Sequence, residues 1–502
     1  MSETVLLERL QRYVEKFNSE DNEIHKTYIP NDSAFNWMAS RVPLVDIPDR
    51  ELESVYYFRW WTFRKHIRKT ENGYIISEFL PSVPWAGRHN SIAAASAHHI
   101  KEGRWLRNEK AIDSYIRYWY QESDNFNDYS HWFEHSLFEL CLQRRDFSIA
   151  IENLDSMIRW YEKRERTNFK EAVGLFWSSC DRDAMEFAIS GDGFRLPLNT
   201  YMCANAGAIS EFARVAGRTA EAEDFMEKSR ELSGNIEKYL WDENRHFYMC
   251  LNYRCGDENA VFDRKDDRFV VRELWGYLPW YFNLAPDGRE GAFSQLHDAQ
   301  GFFAPFGLTT AEQRHPGFGC FYTGEELNEW LLFHGLKSVG PKGHECLWNG
   351  PVWPFASSMA LTALANSKRP DDGLFYKLLK QYADSHRMQP GSRSPYWIDE
   401  VMHPRTGDWI SRTRLKEWSD SKGWDTGKGG KERGKDYNHS TFCDLVISGL
   451  FGVTVGNDGL KARPRFPADW ENAALYHVPF AGKLYTVRYA KSKVSVTEEP
   501  AA

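Results

Sequence analysis

The chain has no apolar run of 18 residues, so no stretch of it reads as a membrane-crossing helix. Its N-terminus, MSETVLLERLQRYVEKF, is charged and amphipathic and lacks the basic-then-apolar order of a secretion signal. It has no excess of positive charge: 63 Lys and Arg stand against 71 Asp and Glu, a net charge of -8, which argues against a surface built for the nucleic-acid backbone. The 8 cysteines are scattered, with no CxxC pair and no Cys/His spacing suited to zinc, so neither a metal centre nor a cofactor is implied. No repeat period is visible, and a solenoid is not supported. These absences leave a soluble, cytoplasmic, globular protein with reduced thiols and neither nucleic acid nor membrane as a partner.

Aromatic residues, by contrast, are plentiful, with 20 Trp, 24 Tyr and 32 Phe among 502 residues. A large core absorbs many of them, but Trp faces also pack against the C–H faces of sugar rings, so carbohydrate is a candidate ligand. Apolar positions recur with three- and four-residue spacing along 201–216, where Met202, Ala206, Ile209, Phe212, Ala213 and Ala216 form one stripe. Gly217 suits a C-terminal cap and Thr219 the start of the next helix, which together predict an αα-hairpin. Similar periodicity at 92–101, 110–121, 131–144, 148–164, 270–283, 323–337, 352–366, 371–386 and 438–451, with the N-terminal helix, gives about twelve helices. A closed ring of hairpins fits them. Residues 74–79, YIISEF, read as a short strand in a mixed lead-in. GLKARPRF, ALYHV and KLYTVRYAKSKVSV predict a small β appendage after 452, and TEEPAA a frayed tail. The expected divisions are therefore a lead-in over 1–90, a helical barrel over 91–452 and a β segment over 453–502.

Three stretches combine carboxylates with aromatics and glycine beyond what packing requires: LFWSSCDRDAMEF (175–187), HECLWNGPVWPF (344–355) and SPYWIDEVMHPRTGDW (394–409). Each alone has a structural explanation as a cap or a core plug. Together they resemble the six-hairpin glycosidases of glycoside hydrolase family 63 and their mannosylglycerate hydrolase-like relatives. Those enzymes place an acid aspartate in S-G-x-D-N-S after a Trp, then a W-x-G-P-V-W turn, then a base glutamate before P-x-T-G. The matches here are Ser178-Ser179-Cys180-Asp181, Trp348-Asn349-Gly350-Pro351-Val352-Trp353, and Glu400 with Pro404, Thr406 and Gly407. Cys180, Arg182 and Asp183 depart from the usual acid segment, and residues 1–169 match less clearly than 170–455.

The resemblance implies an all-α (α/α)6 barrel whose active site lies where the inner helices begin. It also implies inverting hydrolysis of a short α-linked gluco- or manno-type saccharide. Glycosidic cleavage needs one protonated carboxyl and one carboxylate across an oxocarbenium-like transition state, about 6.5–9.5 Å apart when the product is inverted. Asp181, expected to be partly desolvated by Phe176 and Trp177, is the candidate acid, and Glu400 the candidate base. PWAGRHN offers Trp85, Arg88, His89 and Asn90 to sugar hydroxyls, and Trp177, Asp183, Trp348, Asn349, Gly350 and Trp353 complete the candidate binding set. Glu78 is a further candidate, His439 and Asp436 are expected near the site without an assigned role, and His98 and His99 read as packed residues. The polar segment Glu417–Asp436 is a loop or a lid that Trp424 would close over the sugar. An epimerase, a phosphorylase or a carbohydrate-binding protein on the same barrel are the alternatives.

Overall fold

Helix α1 (Glu3–Glu20) turns Leu6, Leu10, Val14 and Phe17 inward, the single buried stripe that its sequence predicts. After the short α2 (Ala34–Arg41), helix α3 (Arg50–Lys65) buries every residue from Leu52 to Lys65. The mixed pattern before residue 90 conceals this helix, because α1 covers its outer side while the barrel covers its inner side. Asp49 starts α3 by accepting hydrogen bonds from the amides of Glu51 (3.1 Å) and Leu52 (3.0 Å). Its buried charges find partners far along the chain. Glu53 pairs with Arg9 at 3.0 Å, Arg59 donates to the Ser440 carbonyl at 2.6 Å, and Lys65 bridges Asp21 at 2.8 Å and Asp436 at 2.6 Å. The computed structural model describes residues 2–107, 110–253, 269–321, 324–333, 346–368, 371–417, 424–456 and 458–500.

From α4 onward, inner and outer helices alternate. Helix α4 (Ser96–Gly103) is inner, α5 (Lys110–Arg117) outer, α6 (Phe133–Arg144) inner, α7 (Ser148–Asn168) outer, α8 (Leu196–Val215) inner and α9 (Thr219–Leu240) outer. The next inner member is a 3-10 turn (Leu274–Tyr277) running into the one-turn α10 (Leu278–Tyr281), where Pro279 occupies the first turn. An irregular outer stretch holding α11 (Gly324–Phe333) leads to inner α12 (Pro354–Asn366) and outer α13 (Asp372–Asp384). Helix α14 (Ile410–Glu417) follows, and the π-helical Leu445–Leu450 is the last inner member. Each inner member packs on the next, α4 on α6, α6 on α8, α8 on α10, α10 on α12 and α12 on Leu445–Leu450, which is the (α/α)6 barrel.

Glu102 on α4 closes the ring. Its buried carboxylate accepts from the amides of Phe442 (3.0 Å), Cys443 (2.8 Å) and Asp444 (2.8 Å), three of the donors that open the last inner helix and lack partners within it. The hairpin of α8 and α9 forms as predicted, turning at Gly217 with φ 75°. It starts earlier than expected, at Leu196, and Arg218 rather than Thr219 occupies the cap position before α9. The helix expected at 438–451 begins only at its second half, since Tyr437 and His439 instead wall a cavity.

The C-terminal strands Asn472–Phe480, Lys483–Ala490 and Lys493–Glu498 form an antiparallel meander, extended by Leu44–Asp46, whose Leu44 lies opposite Tyr476. The final strand runs into TEEPAA instead of fraying there: Glu499 accepts from the His477 amide at 2.8 Å and the Thr486 hydroxyl at 2.6 Å. Residues 74–79 contribute a strand only over Tyr74–Ile76, paired with Ile67–Lys69.

Glu102→Ala would strand three buried amide donors at the ring closure. A loss of at least about 3 kcal/mol in unfolding free energy is expected, measured by urea denaturation against wild type.

Candidate active site

The inner helices begin at one mouth of the barrel, and their preceding loops enclose a cavity of about 680 Å³. Ala94 and Ala95 precede α4, Tyr129 precedes α6, Asp181 and Glu186 precede α8, Trp348 and Trp353 precede α12, and Tyr437 and His439 precede the last inner helix. Helix N-termini carry partial positive charge, so this end of the barrel favours a gathering of carboxyl groups. Four of them line the cavity: Glu78, Asp181, Glu186 and Glu400.

Glu400 and the WNGPVW turn, some fifty residues apart in sequence, meet through a local backbone pairing. Val352 and Met402 exchange amide-to-carbonyl hydrogen bonds of 2.9 Å in both directions. Within the turn, Trp348 and Trp353 stack with ring centroids 4.2 Å apart and planes 14° from parallel, and the Trp353 indole N–H donates to the Leu347 carbonyl at 2.9 Å. Gly350 allows the closest approach, since a Cβ there would lie 2.5 Å from the Gly319 carbonyl oxygen. Glu400 is buried, and its Oε2 accepts a hydrogen bond from Arg433, a fully buried guanidinium that also lies over the rings of Phe79 (5.3 Å) and Trp85 (5.0 Å). The half-buried Cys346 thiol stands 3.6 Å from Glu400 Oε1.

Beside it, Asp399 accepts from the Ser411 hydroxyl (2.9 Å) and the Glu400 amide (2.8 Å). Burial, then the charge of Glu400, raises its pKa to about 6. Glu78, from the N-terminal lead-in, accepts a hydrogen bond from the Tyr437 hydroxyl. Burial raises its pKa to about 8, and the neighbouring Glu400 and Glu186 add to that rise.

Of the residues expected from sequence, Trp85, Asp181, Trp348, Trp353, Glu400, Glu78 and His439 line the cavity. Asp181 sits on the 3-10 turn Cys180–Asp183 and is exposed, not desolvated by Phe176 and Trp177. The remaining expected residues do not line it. Asp183 is buried against Arg195 (2.5 Å) and Ser130 (2.6 Å), and Asn90 ties its own loop by accepting from the Val83 amide at 2.9 Å and donating to the Pro81 carbonyl at 2.9 Å. Arg88 pairs with Glu71 on the surface, with His89 beside it at φ 59°. Trp177 donates to the Tyr253 carbonyl at 2.8 Å, and Asn349 and Gly350 are buried in the turn. Trp424 lies under Arg412, 5.3 Å from its ring centroid.

The Gly/Lys-rich segment is the largest departure from expectation. Residues 418–423 lie outside the described residues, but Arg433 to Asp436 are buried. Lys435 pairs with Asp21 at 2.7 Å, Asp436 with Lys65 at 2.6 Å, and Gly434 packs so tightly on Asp399 that a Cβ would overlap its carboxylate. These four residues are anchored in the wall, and Lys428, earlier in the segment, lines the cavity. Its Arg433, with Glu186, Tyr129 and Lys428, is what sequence reasoning missed. Glu186 carried a usable signal, standing five residues after Asp181 in the same acidic turn. Among the described residues, no group of three His, Cys, Asp or Glu side chains is placed to hold a metal ion, and no helix is long and apolar enough to cross a membrane.

A six-hairpin helical barrel with carboxyls and stacked tryptophans at the mouth of its inner ring defines a glycosidase class. More particularly, residues 88–440 match the mannosylglycerate hydrolase MGH1-like glycoside hydrolase domain, and the chain belongs to that family. A solved structure named sialidase is 30% identical over 98% of this chain, with a TM-score of 0.84. This chain spans 43% of that protein's length. A family 78 rhamnosidase of a Bacillus species (14% identity, 91% of this chain and 41% of that one, TM-score 0.53) shares the fold. So does the family 63 mannosylglycerate hydrolase of Thermus thermophilus in complex with Tris and D-glycerate (10% identity, 78% and 98%, TM-score 0.50).

Arg433→Met leaves the Glu400 carboxylate buried without its counter-ion. The expected cost is about 3–5 kcal/mol of unfolding free energy at pH 7. Urea denaturation curves against wild type check this.

Proposed function

We propose that this protein is an inverting hydrolase of short α-linked saccharides or α-glycosides of gluco or manno type. Asp181 acts as general acid and Glu400 as general base. The observation that carries this reading is that one sugar-sized cavity holds both carboxyls, with Glu400 seated by backbone pairing on a turn of stacked tryptophans. The chemistry follows from the types of group present. Asp181, facing solvent at the cavity wall, gives its proton to the glycosidic oxygen as the bond to the anomeric carbon breaks. Glu400 takes a proton from a water that attacks the same carbon from the other face, and the product hemiacetal emerges inverted. Arg433 and the Val352–Met402 pairing hold Glu400 in place, which preserves the approach geometry. Water serves as the acceptor, so phosphate is not needed.

Among the described residues seven cysteines are outside any disulfide, which suits a cytoplasmic enzyme acting on an imported saccharide.

A panel of 4-nitrophenyl α-glycosides, disaccharides and trisaccharides, followed by chromatography, identifies the substrate, and NMR of the first-formed anomer reads the stereochemistry. On the substrate found, Glu400→Gln and Asp181→Asn should each lower kcat by at least about 100-fold while circular dichroism stays unchanged. Normal turnover by folded Glu400→Gln, or a product of retained configuration, would refute the assignment.

A further inference from the structure

Three buried polar groups on the cavity wall have hydrogen-bonding atoms without partners among the described residues: Glu78 Oε2, both ring nitrogens of His439, and the Trp348 indole nitrogen. Such atoms are costly to leave unsatisfied, and the residues that carry them line a cavity that a polyhydroxylated ring would fill. Glu78 is 6% exposed. Its Oε1 is taken by the Tyr437 hydroxyl, while the Tyr437 ring packs on His439 with centroids 3.8 Å apart and on Phe79 at 4.7 Å. Oε2 is therefore the oxygen left without a hydrogen-bond partner.

The surroundings of Glu78 decide its protonation. Burial above all, and then the facing Glu400 and Glu186, disfavours a negative charge on it, outweighing the hydrogen bond from Tyr437 and the charge of Arg433. Arg433 is the counter-ion of Glu400, and Arg182 and Lys428 are the basic residues of the cavity lining. Tyr437 and Tyr129 are neutral phenols whose own ionisation burial suppresses. His439 is neutral as well, its protonation disfavoured by burial and then by His98. Two carboxyls of one cavity thus lie in different surroundings, Glu400 hydrogen-bonded to the guanidinium and Glu78 to a phenol.

Resting on the glycosidase reading above, we propose that Glu78 is a specificity-determining residue. Its Oε2 carries a proton and donates it in a hydrogen bond to one hydroxyl oxygen of a neutral sugar ring, on an uncharged patch shared with Tyr437 and His439. This role is separate from proton transfer: no bond to hydrogen breaks at Glu78 during turnover, and a side chain that donates without ionising can replace it. The sign of the pH dependence follows. The donor is present below about pH 8 and is lost as the pH rises through that value.

The test has a readout that needs no substrate. Infrared difference spectra between pH 6 and pH 10 should show a protonated-carboxyl C=O stretch vanishing with a midpoint near 8 in wild type, and that band should be missing from Glu78→Gln. A band unchanged by the substitution overturns the proposal. On the glycoside identified by the panel, Glu78→Gln should lower kcat/KM by less than about tenfold and Glu78→Leu by at least about 50-fold, with melting temperatures confirming that both fold. If Glu78→Gln is as inactive as Glu78→Leu, a hydrogen-bond donor is not what the site needs and the proposal fails. Monodeoxy versions of the same glycoside locate the contact: for one of them the wild-type penalty should largely disappear in Glu78→Leu, and a penalty retained at every position overturns the reading. Failure of the general-base assignment shows itself instead in Glu400→Gln and leaves these three readouts standing.

Discussion

A ring of helices has no intrinsic reason to close, and here one carboxylate supplies it. Glu102 is contributed by the first inner helix and accepts from three consecutive amides that open the last one. The arrangement does two things at once. It satisfies the donors of a helix start that no side chain of its own segment caps, and it fixes the angular position of that helix beside α4. Tyr437, Asn438 and His439 lead directly into those amides, and His99 on α4 holds the Asn438 carbonyl at 2.7 Å. The cavity wall is thus set by the same contact that closes the barrel.

At the mouth, the fold gathers carboxyls of similar chemistry and gives them different surroundings. Glu400 has a buried guanidinium, Asp399 a hydroxyl and an amide, Glu78 a phenol, and Asp181 solvent. Helix N-termini make the gathering tolerable, and local partners make the groups unequal. Neither feature follows from residue type, since Asp and Glu look alike in a sequence.

That distinction marks what could be read in advance. Helices with one buried face, such as α1, α8 and α9, announce themselves by spacing. Helix α3 does not, because it is covered on both sides and its charges are matched by partners as distant as Asp436 and Ser440. The WNGPVW turn and Glu400 were legible as motifs, and the Val352–Met402 pairing explains why they travel together. Arg433 was not legible, because a glycine- and lysine-rich composition describes solvated chain unless something distant claims it. Here Asp21, Lys65, Asp399 and Glu400 do. Asp183 and Asn90 illustrate the reverse error, in which polar residues near a site are consumed by the loops that carry it.

The contacts of α3 also set an order of events. A ribosome delivers residues 50–65 long before residues 436–444, yet Arg59 waits for Ser440, Lys65 for Asp436, and Leu44–Asp46 for the strand at Asn472–Phe480. Until then a helix that ends up buried almost from end to end lacks its inner cover, and the α8–α9 hairpin can form without it. Folding should therefore end rather than begin at the N-terminal helices, with closure delayed by the large separation in sequence and dependent on protection of that surface during synthesis.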